Sequence, residues 1–272
     1  MGNLELILPE IFISLSIMFL LILGVFKKNS SKLIQNISLL VLLITAVITF
    51  NETLGINEVT LFNGSVVIDY LSSFMKIVTL VAAFLVLIIS SNYLKSLKIL
   101  KIEYPILILC SVLGMMIMIS SNDLIVFYMG LELQSLALYV LASFNRDQIK
   151  SSEAGLKYFV LSALSSGLLL YGCSLIYGFT GSTNFNVIAN ELNSNEYVLT
   201  FGIVFILVGL SFKISAVPFH MWAPDVYEGS PTSVTLFFTM VPKIAALTVF
   251  IRFLYVPFLY LIDQWQMILI FL

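Results

Sequence analysis

Long apolar segments follow one another along most of this chain, and they constrain its fold more than any other feature. An α-helix needs roughly 17–25 mainly apolar residues to cross the ~30 Å hydrocarbon core of a bilayer. Eight segments meet that requirement, at residues 6–26, 33–50, 71–90, 104–120, 123–144, 156–179, 197–217 and 231–255. A ninth apolar run begins near Trp265. The sequence therefore predicts an all-α membrane protein, a polytopic helix bundle of about eight spans plus the start of a ninth.

The composition is typical of a chain surrounded by lipid. Of its 272 residues, 60% are hydrophobic and 10% are charged, whereas about a quarter of the residues in a soluble domain are charged. We therefore expect the lipid bilayer to be the main contact of the chain. Neither the composition nor the net charge of −2 indicates a nucleic-acid partner.

The charges in the loops alternate along the chain. The first, third and fifth loops are basic, with Lys27, Lys28 and Lys32, then Lys95, Lys98 and Lys101, then Arg146 and Lys150. The second, fourth and sixth loops carry acidic residues, with Glu52, Glu58 and Asp69, then Asp123, then Glu191 and Glu196. Because short basic loops stay on the cytoplasmic side, this alternation predicts an amino terminus outside. Basic loops then lie in the cytoplasm or in the matrix of an organelle.

Few ionisable residues lie well inside the predicted spans. Glu132, Lys213 and Lys243 do, and His220 follows the end of a span. A charge at the bilayer centre costs ~2.5–3.5 kcal/mol on insertion scales, so such residues face the interior of a bundle and are commonly functional. The alternative for each is a purely structural role, as a link between two helices or as a satisfied polar side chain.

Other residues that carry chemistry are sparse. Lys76 lies nearer the end of its span, and we expect it to extend to the membrane surface. Arg252 is expected at the interface as well. Cys110 and Cys173 lie in apolar runs, and the sequence contains no Cys-x-x-Cys or Cys/His cluster. The sequence therefore predicts no metal site and no cofactor bound by this chain.

Helical spacing places polar side chains beside the buried charges. Tyr128 and Ser135 lie on the same face of the fifth span as Glu132. Thr239 lies one turn before Lys243 in the eighth span. We expect these hydroxyls to support the charged groups.

The seventh span contains a helix breaker close to its lysine. His220 lies seven residues after Lys213, on the same face of a continuous helix, but Pro218 stands between them and predicts a break. Transporters use broken helices to expose backbone groups to an ion at membrane depth. A buried lysine near a carboxylate can hold or release a proton as its surroundings change. The residues therefore predict a proton relay.

The segment from Phe212 to Thr232 reads FKISAVPFHMWAPDVYEGSPT, and it resembles the signature of the subunit N family of respiratory NADH:quinone oxidoreductase (complex I), the counterpart of mitochondrial NADH dehydrogenase subunit 2. GLEL around Glu132 and VPKIAA around Lys243 resemble the same family. The resemblance implies a Glu132–Lys213 pair, a connecting histidine at His220 and a central lysine at Lys243. It also implies proton translocation driven by quinone reduction elsewhere.

The resemblance further implies an antiporter-like fold with two inverted five-helix repeats, of which this chain contains one. Residues 1–103 would form a three-helix segment, residues 104–255 the repeat with the broken seventh helix, and residues 256–272 the start of a truncated second repeat. Quinone, NADH, FMN and iron–sulfur clusters would bind to other subunits. The implied partners are the other membrane-arm subunits and a second polypeptide that carries the missing helices.

Two alternatives share these motifs. One is a subunit of a related cation/proton antiporter or membrane hydrogenase, and the other is a non-functional or structural fragment. In each case the expected location is the bacterial cytoplasmic membrane or the mitochondrial inner membrane.

Overall fold

The structure is a computed structural model that describes residues 5–27, 30–53, 58–97, 99–191 and 196–271. Its long helices are α1 Leu8–Phe26, α2 Ser31–Thr53, α3 Tyr70–Ser96, α4 Glu103–Ile119, α5 Leu124–Ala142, α6 Ile149–Thr180, α7 Glu196–Ile214, α8 Thr232–Tyr255 and α9 Ile262–Phe271. Shorter elements are the helices Phe185–Glu191 and Ala223–Gly229 and the 3₁₀ turn Leu259–Leu261.

The helices confirm the predicted all-α membrane fold. Six of them, α1, α2, α3, α5, α6 and α8, are long and apolar enough to cross a bilayer. The predicted fourth span is shorter, because α4 has 17 residues, and the apolar helix within the predicted seventh span is also shorter. The count of eight spans is therefore approximate.

A β-hairpin between α2 and α3 is the exception to the all-α prediction. Strands β1, Val59–Leu61, and β2, Val66–Ile68, pair antiparallel. The Val67 N–H donates to the Ser120 carbonyl at 2.9 Å, and the Asn122 side chain donates to the Gly64 carbonyl at 2.9 Å. These contacts attach the hairpin to the connection between α4 and α5. We call this end of the bundle the hairpin end.

Two glycines bring α4 and α5 into close contact. A Cβ atom at Gly114 would lie 2.5 Å from the backbone nitrogen of Gln134, and one at Gly130 would lie 2.8 Å from that of Met118. Real Cβ atoms do not approach so closely, so only glycine permits this spacing. The contact determines which side of α5 meets α4. Ser135 of α5 contacts Lys213 of α7.

Two cations that were expected at the membrane interface are buried. Lys76 is 4% exposed, and its Nζ lies 2.6 Å from Oε1 of Glu10 in α1. Arg252 is also 4% exposed, and its Nη2 donates to both carboxylate oxygens of Asp69 at 2.7 and 2.9 Å. The prediction that Lys76 extends to the membrane surface was wrong, because Glu10 lies within reach inside the bundle. The interfacial position of Arg252 stays a prediction, since the residue lies in the last turn of α8.

Asp69 also begins α3, where its carboxylate accepts the Ser72 N–H at 2.7 Å. Burial favours a higher pKa for this carboxyl, but the Arg252 charge, the Arg252 hydrogen bond and the bonds from Ser72 outweigh it. The pKa of Asp69 is therefore lowered from its ordinary value.

Candidate functional site

Helix α7 ends with a Schellman motif beside the predicted break. Ser215 follows the last helical residue, Ile214, with a φ of 62°. Its N–H donates to the Phe212 carbonyl at 3.2 Å, and the Ala216 N–H donates to the Ser211 carbonyl at 2.9 Å. This pair of bonds satisfies carbonyls that the helix end would otherwise leave free. The chain then runs without helix through residues 215–222.

Pro218 gives a physical reason for that helix end. A proline ring clashes with the carbonyl four residues earlier, here Ile214, and also disfavours helical conformation at the preceding residue. The interruption therefore starts before Pro218 and not at it. As a result Lys213 lies in the last turn of α7, where the helix carbonyls favour a positive charge.

The ammonium group of Lys213 is held by two hydroxyl groups. Lys213 is 7% exposed, and its Nζ donates to Ser135 Oγ of α5 and to Ser162 Oγ of α6, each at 2.7 Å. The Tyr139 hydroxyl also donates to Ser162 Oγ at 2.7 Å, and Lys213 Nζ lies 5.8 Å from the centre of the Tyr139 ring. Three helices thus meet at one buried lysine.

Glu132 lies one turn before Ser135 on α5, but it does not contact Lys213 directly. Among the described residues, no ion pair with a nitrogen–oxygen distance within 4.0 Å joins Glu132 to Lys213. The charge of Glu132 nevertheless acts on Lys213 electrostatically. Oε1 of Glu132 is buried and accepts no hydrogen bond from the described residues. The pairing of Glu132 with Lys213 therefore stays a prediction, while Ser135, which was expected to support the charged groups, contacts Lys213 directly.

His220 lies apart from this cluster. It is exposed and belongs to the non-helical segment after α7. The helix ends at Ile214, before His220, so the side chains of Lys213 and His220 do not share a helical face.

A second, half-buried lysine lies on α8. Nζ of Lys243 is 5.7 Å from the centre of the Tyr227 ring, in the short helix after the break. The Tyr227 hydroxyl lies 3.5 Å from Ser215 Oγ. Thr239 is exposed, and its hydroxyl donates to the Leu236 carbonyl at 3.0 Å. The expected support from Thr239 is thus absent among these contacts, and Tyr227 takes its place.

The short helix that follows the break is attached to α6. Lys157 Nζ lies 2.7 Å from Asp225, and Lys150 Nζ lies 3.0 Å from Glu228. These pairs are exposed and each contributes little stability. The Trp222 ring stacks on the buried Tyr158 ring with centroids 4.6 Å apart, which holds the segment more firmly.

Sequence reasoning missed Ser162 and Tyr227. A signal for Ser162 exists, because Tyr158, Ser162 and Ser166 recur every four residues in α6 and are all buried. Of the predicted supporting residues, Ser135 contacts Lys213, whereas Tyr128 lines a cavity of about 560 Å³ between α5 and α6.

This geometry can move protons between hydroxyl and amine groups. A serine hydroxyl accepts a hydrogen bond from an ammonium and can donate one to a neutral amine. Lys213 can therefore keep the same two partners in both protonation states.

A protein-family comparison matches residues 121–272 to the transmembrane family described as NADH:quinone oxidoreductase/Mrp antiporter. A protein of Pelagibacter ubique (strain HTCC1062), named NADH-quinone oxidoreductase subunit N, is 74% identical over 272 residues, which are 100% of this chain and 58% of that protein. The chain spans little more than half the length of the curated relatives that it matches.

Solved structures agree with the fold. A chain in respiratory complex I from Thermus thermophilus with bound aureothin is 29% identical, with a TM-score of 0.78 over 90% of this chain and 52% of that one. A chain in the Mrp complex from Dietzia sp. DQ12-45-1b has a TM-score of 0.77 and covers 94% of this chain and 49% of that one. That second match is 23% identical and concerns the fold alone.

Proposed function

Because the chain belongs to the transmembrane family of NADH:quinone oxidoreductase and Mrp antiporter subunits, we propose that it forms part of the membrane arm of an NADH:quinone oxidoreductase and translocates protons there. The identity of 74% to a subunit N supports this choice within the family. An ion antiporter is the alternative, but its support in the Mrp complex is a likeness of fold at 23% identity. A structural fragment remains the other alternative, and the experiment below separates it from a working subunit.

One observation carries the proposal, namely that Lys213 is buried against hydroxyl groups and a distant carboxylate. Lys213 accepts and releases the proton, and Ser135 and Ser162 keep it in place in both states. Glu132 sets how strongly the proton is held. His220 and Lys243 extend the relay, and the Tyr227 ring orients Lys243. The energy comes from quinone reduction in other subunits, where NADH, FMN and the iron–sulfur clusters also bind.

We propose that residues 104–255 form one of two inverted repeats and supply one half of the proton path. Further helices supply the other half. The amino terminus lies outside, in a bacterial cytoplasmic or mitochondrial inner membrane. Labelling of single cysteines at Asn63 from outside and at Arg146 from inside tests this orientation. Lys98 and Asn193, two other suitable positions, lie outside the described residues.

The experiment measures proton pumping and coupled quinone reduction in membrane vesicles that contain the assembled complex. Lys213→Ala is expected to lower both by about tenfold or more, as loss of a positioned acid–base group usually does. Glu132→Gln is expected to be defective as well, through the charge that it removes. The complex should still assemble, since a carboxyl left without its cation can protonate.

Lys32→Ala is the matched control, because Lys32 is an exposed lysine of α2. It should leave both activities unchanged. Normal pumping in assembled Lys213→Ala complexes would refute the relay and favour the structural alternative.

A further inference from the structure

Trp222 is the first buried residue after the break that follows α7. Val217 and Met221, which precede it, are 60% and 73% exposed, whereas Trp222 is 3% exposed. Its indole Nε1 donates to the Phe212 carbonyl at 2.9 Å. Because Phe212 directly precedes Lys213, this bond joins the far end of the break to the helix turn that carries the buried lysine.

The Phe212 carbonyl accepts two hydrogen bonds of different origin. The Ser215 N–H donates to it at 3.2 Å as part of the helix end, and this bond comes from the backbone. The bond from Trp222 comes from a side chain ten residues along the chain from the acceptor. A carbonyl oxygen has two lone pairs, so the two donors together satisfy it. Only the indole bond depends on the identity of a side chain.

The Trp222 ring also lies inside a row of aromatic rings. It stacks on the Tyr158 ring with centroids 4.6 Å apart, and it meets the Tyr227 ring edge-on at 5.7 Å. The Tyr158 ring in turn meets the Tyr139 ring edge-on at 5.1 Å. Both geometries are favourable ones for aromatic pairs. We call Tyr139, Tyr158, Trp222 and Tyr227 the aromatic row.

Each end of the aromatic row lies close to a lysine. Lys213 Nζ lies 5.8 Å from the centre of the Tyr139 ring. Lys243 Nζ lies 5.7 Å from the centre of the Tyr227 ring. Trp222 therefore contacts the backbone beside one lysine and the aromatic partner of the other.

We propose that Trp222 is a positioning residue for both lysines of the proposed relay. Its indole N–H fixes the last turn of α7 and with it Lys213. Its ring holds Tyr227 in place beside Lys243. The effect of Trp222 on pumping rests on the proposed function, whereas its effect on the positions of the two amines can be measured without pumping.

Trp265 of α9 is a matched control within the same chain. It is 4% exposed, and its Nε1 donates to the Phe258 carbonyl at 3.0 Å. Its ring meets that of Tyr255 at 5.8 Å, outside the aromatic row. Replacing either tryptophan by phenylalanine therefore removes the same kind of buried hydrogen bond, but only Trp222 lies beside the two lysines.

The position of each amine can be followed by ¹⁵N NMR of the full chain in lipid nanodiscs, with the lysine side chains labelled. Lys213→Met and Lys243→Met assign the two signals. Trp222→Phe keeps a ring but loses the N–H, so the Lys213 signal should shift and the Lys243 signal should stay. Trp222→Leu loses the ring as well, so both signals should shift. Trp265→Phe should shift neither.

Proton pumping by the assembled complex gives the second measurement. Trp222→Phe should lower the initial rate a few-fold, as expected for the loss of one hydrogen bond that holds a functional group. Trp265→Phe should leave the rate unchanged. Equal losses in these two variants would overturn the proposal, because they would indicate a general loss of packing.

The NMR result can also overturn the proposal by itself. It does so if both lysine signals keep their positions in Trp222→Leu, or if they shift as far in Trp265→Phe. Normal pumping in Lys213→Ala would refute the relay instead. The positioning role of Trp222 would then still be supported by signals that shift only in its own variants.

Discussion

Lys76 and Lys213 are both buried lysines, at 4% and 7% exposure, but they have different partners. Lys76 touches a carboxylate at 2.6 Å, whereas Lys213 touches two serine hydroxyls at 2.7 Å. A carboxylate in contact stabilises only the charged ammonium. A hydroxyl can accept from an ammonium or donate to a neutral amine. If the proposed function is right, Lys213 carries an exchangeable proton, whereas the ion pair of Lys76 has a structural role.

The backbone around the two lysines also differs, because only Lys213 lies beside a helix end. Lys76 lies within α3, a continuous helix of 27 residues. Lys213 lies in the last turn of α7, next to a segment without helix. Burial of a lysine in a membrane bundle thus does not identify a proton carrier. The proposed role of Lys213 therefore rests on its hydroxyl contacts and on the nearby helix break.

The largest expected difference is in stability. Lys76→Met leaves Glu10 buried without its cation, and breaking a buried ion pair in this way costs about 3–5 kcal/mol. Lys213→Met removes the ammonium partner of Ser135 and Ser162 and the charge with which Glu132 interacts, but among the described residues it breaks no direct ion pair. Ser135 still donates to the Leu131 carbonyl, so we expect a loss of about 1 kcal/mol. Denaturant unfolding of the chain in detergent measures both, and equal losses would contradict the comparison.

A smaller loss of stability is expected when the ion pair between Asp69 and Arg252 is broken. The Asp69 carboxylate is more exposed to solvent than the buried Arg252 side chain. The pKa of Asp69 is lowered in the folded chain. Its contribution to stability is therefore present above the unfolded pKa of the carboxyl and is lost as the pH falls through the folded value. Asp69→Asn should lower the melting temperature at neutral pH, and the deficit should shrink in acid.

Melting curves of wild type and Asp69→Asn across acidic pH give this result directly. Asp263→Asn is the control, since Asp263 is exposed. A deficit that stays constant down to strongly acidic pH would show that the ion pair does not stabilise the fold.

The smallest effect is expected at Ser162. Ser162→Ala removes one of the two hydroxyls that hold Lys213, and a single hydrogen bond contributes about 0.5–1.5 kcal/mol. The pumping rate of the complex should fall a few-fold, and Ser162→Thr should restore it because the hydroxyl returns. Ser174→Ala is the control in the same helix, where an exposed hydroxyl donates to the Tyr171 carbonyl at 2.8 Å. A loss in Ser174→Ala of equal size would point to a general effect on α6.

The sequence predicted the features that depend on local pattern. Apolar length gave the helices, and the rarity of charges inside them identified Glu132, Lys213 and Lys243. Helical spacing also selected Ser135, which contacts Lys213. Each of these depends on residues within a few turns of one another.

The features that the sequence did not predict depend on distant contacts. Arg252 pairs with a carboxylate 183 positions away, and Ser162 reaches Lys213 across 51 positions. No periodicity records such pairings. The hairpin depends on the Ser120 carbonyl of another loop, which a short strand signal does not reveal.

The most direct test of the central claim replaces each buried lysine by arginine in the assembled complex and measures the initial rate of proton pumping in membrane vesicles. A guanidinium keeps its charge and hardly releases a proton. Lys213→Arg should therefore lower pumping by about tenfold or more, which corresponds to about 1.4 kcal/mol. Lys76→Arg should keep most of the pumping rate, because the arginine still provides a cation at Glu10. The adjoining cavity of about 210 Å³ has room for the larger guanidinium group. Equal pumping in the two variants would contradict the account.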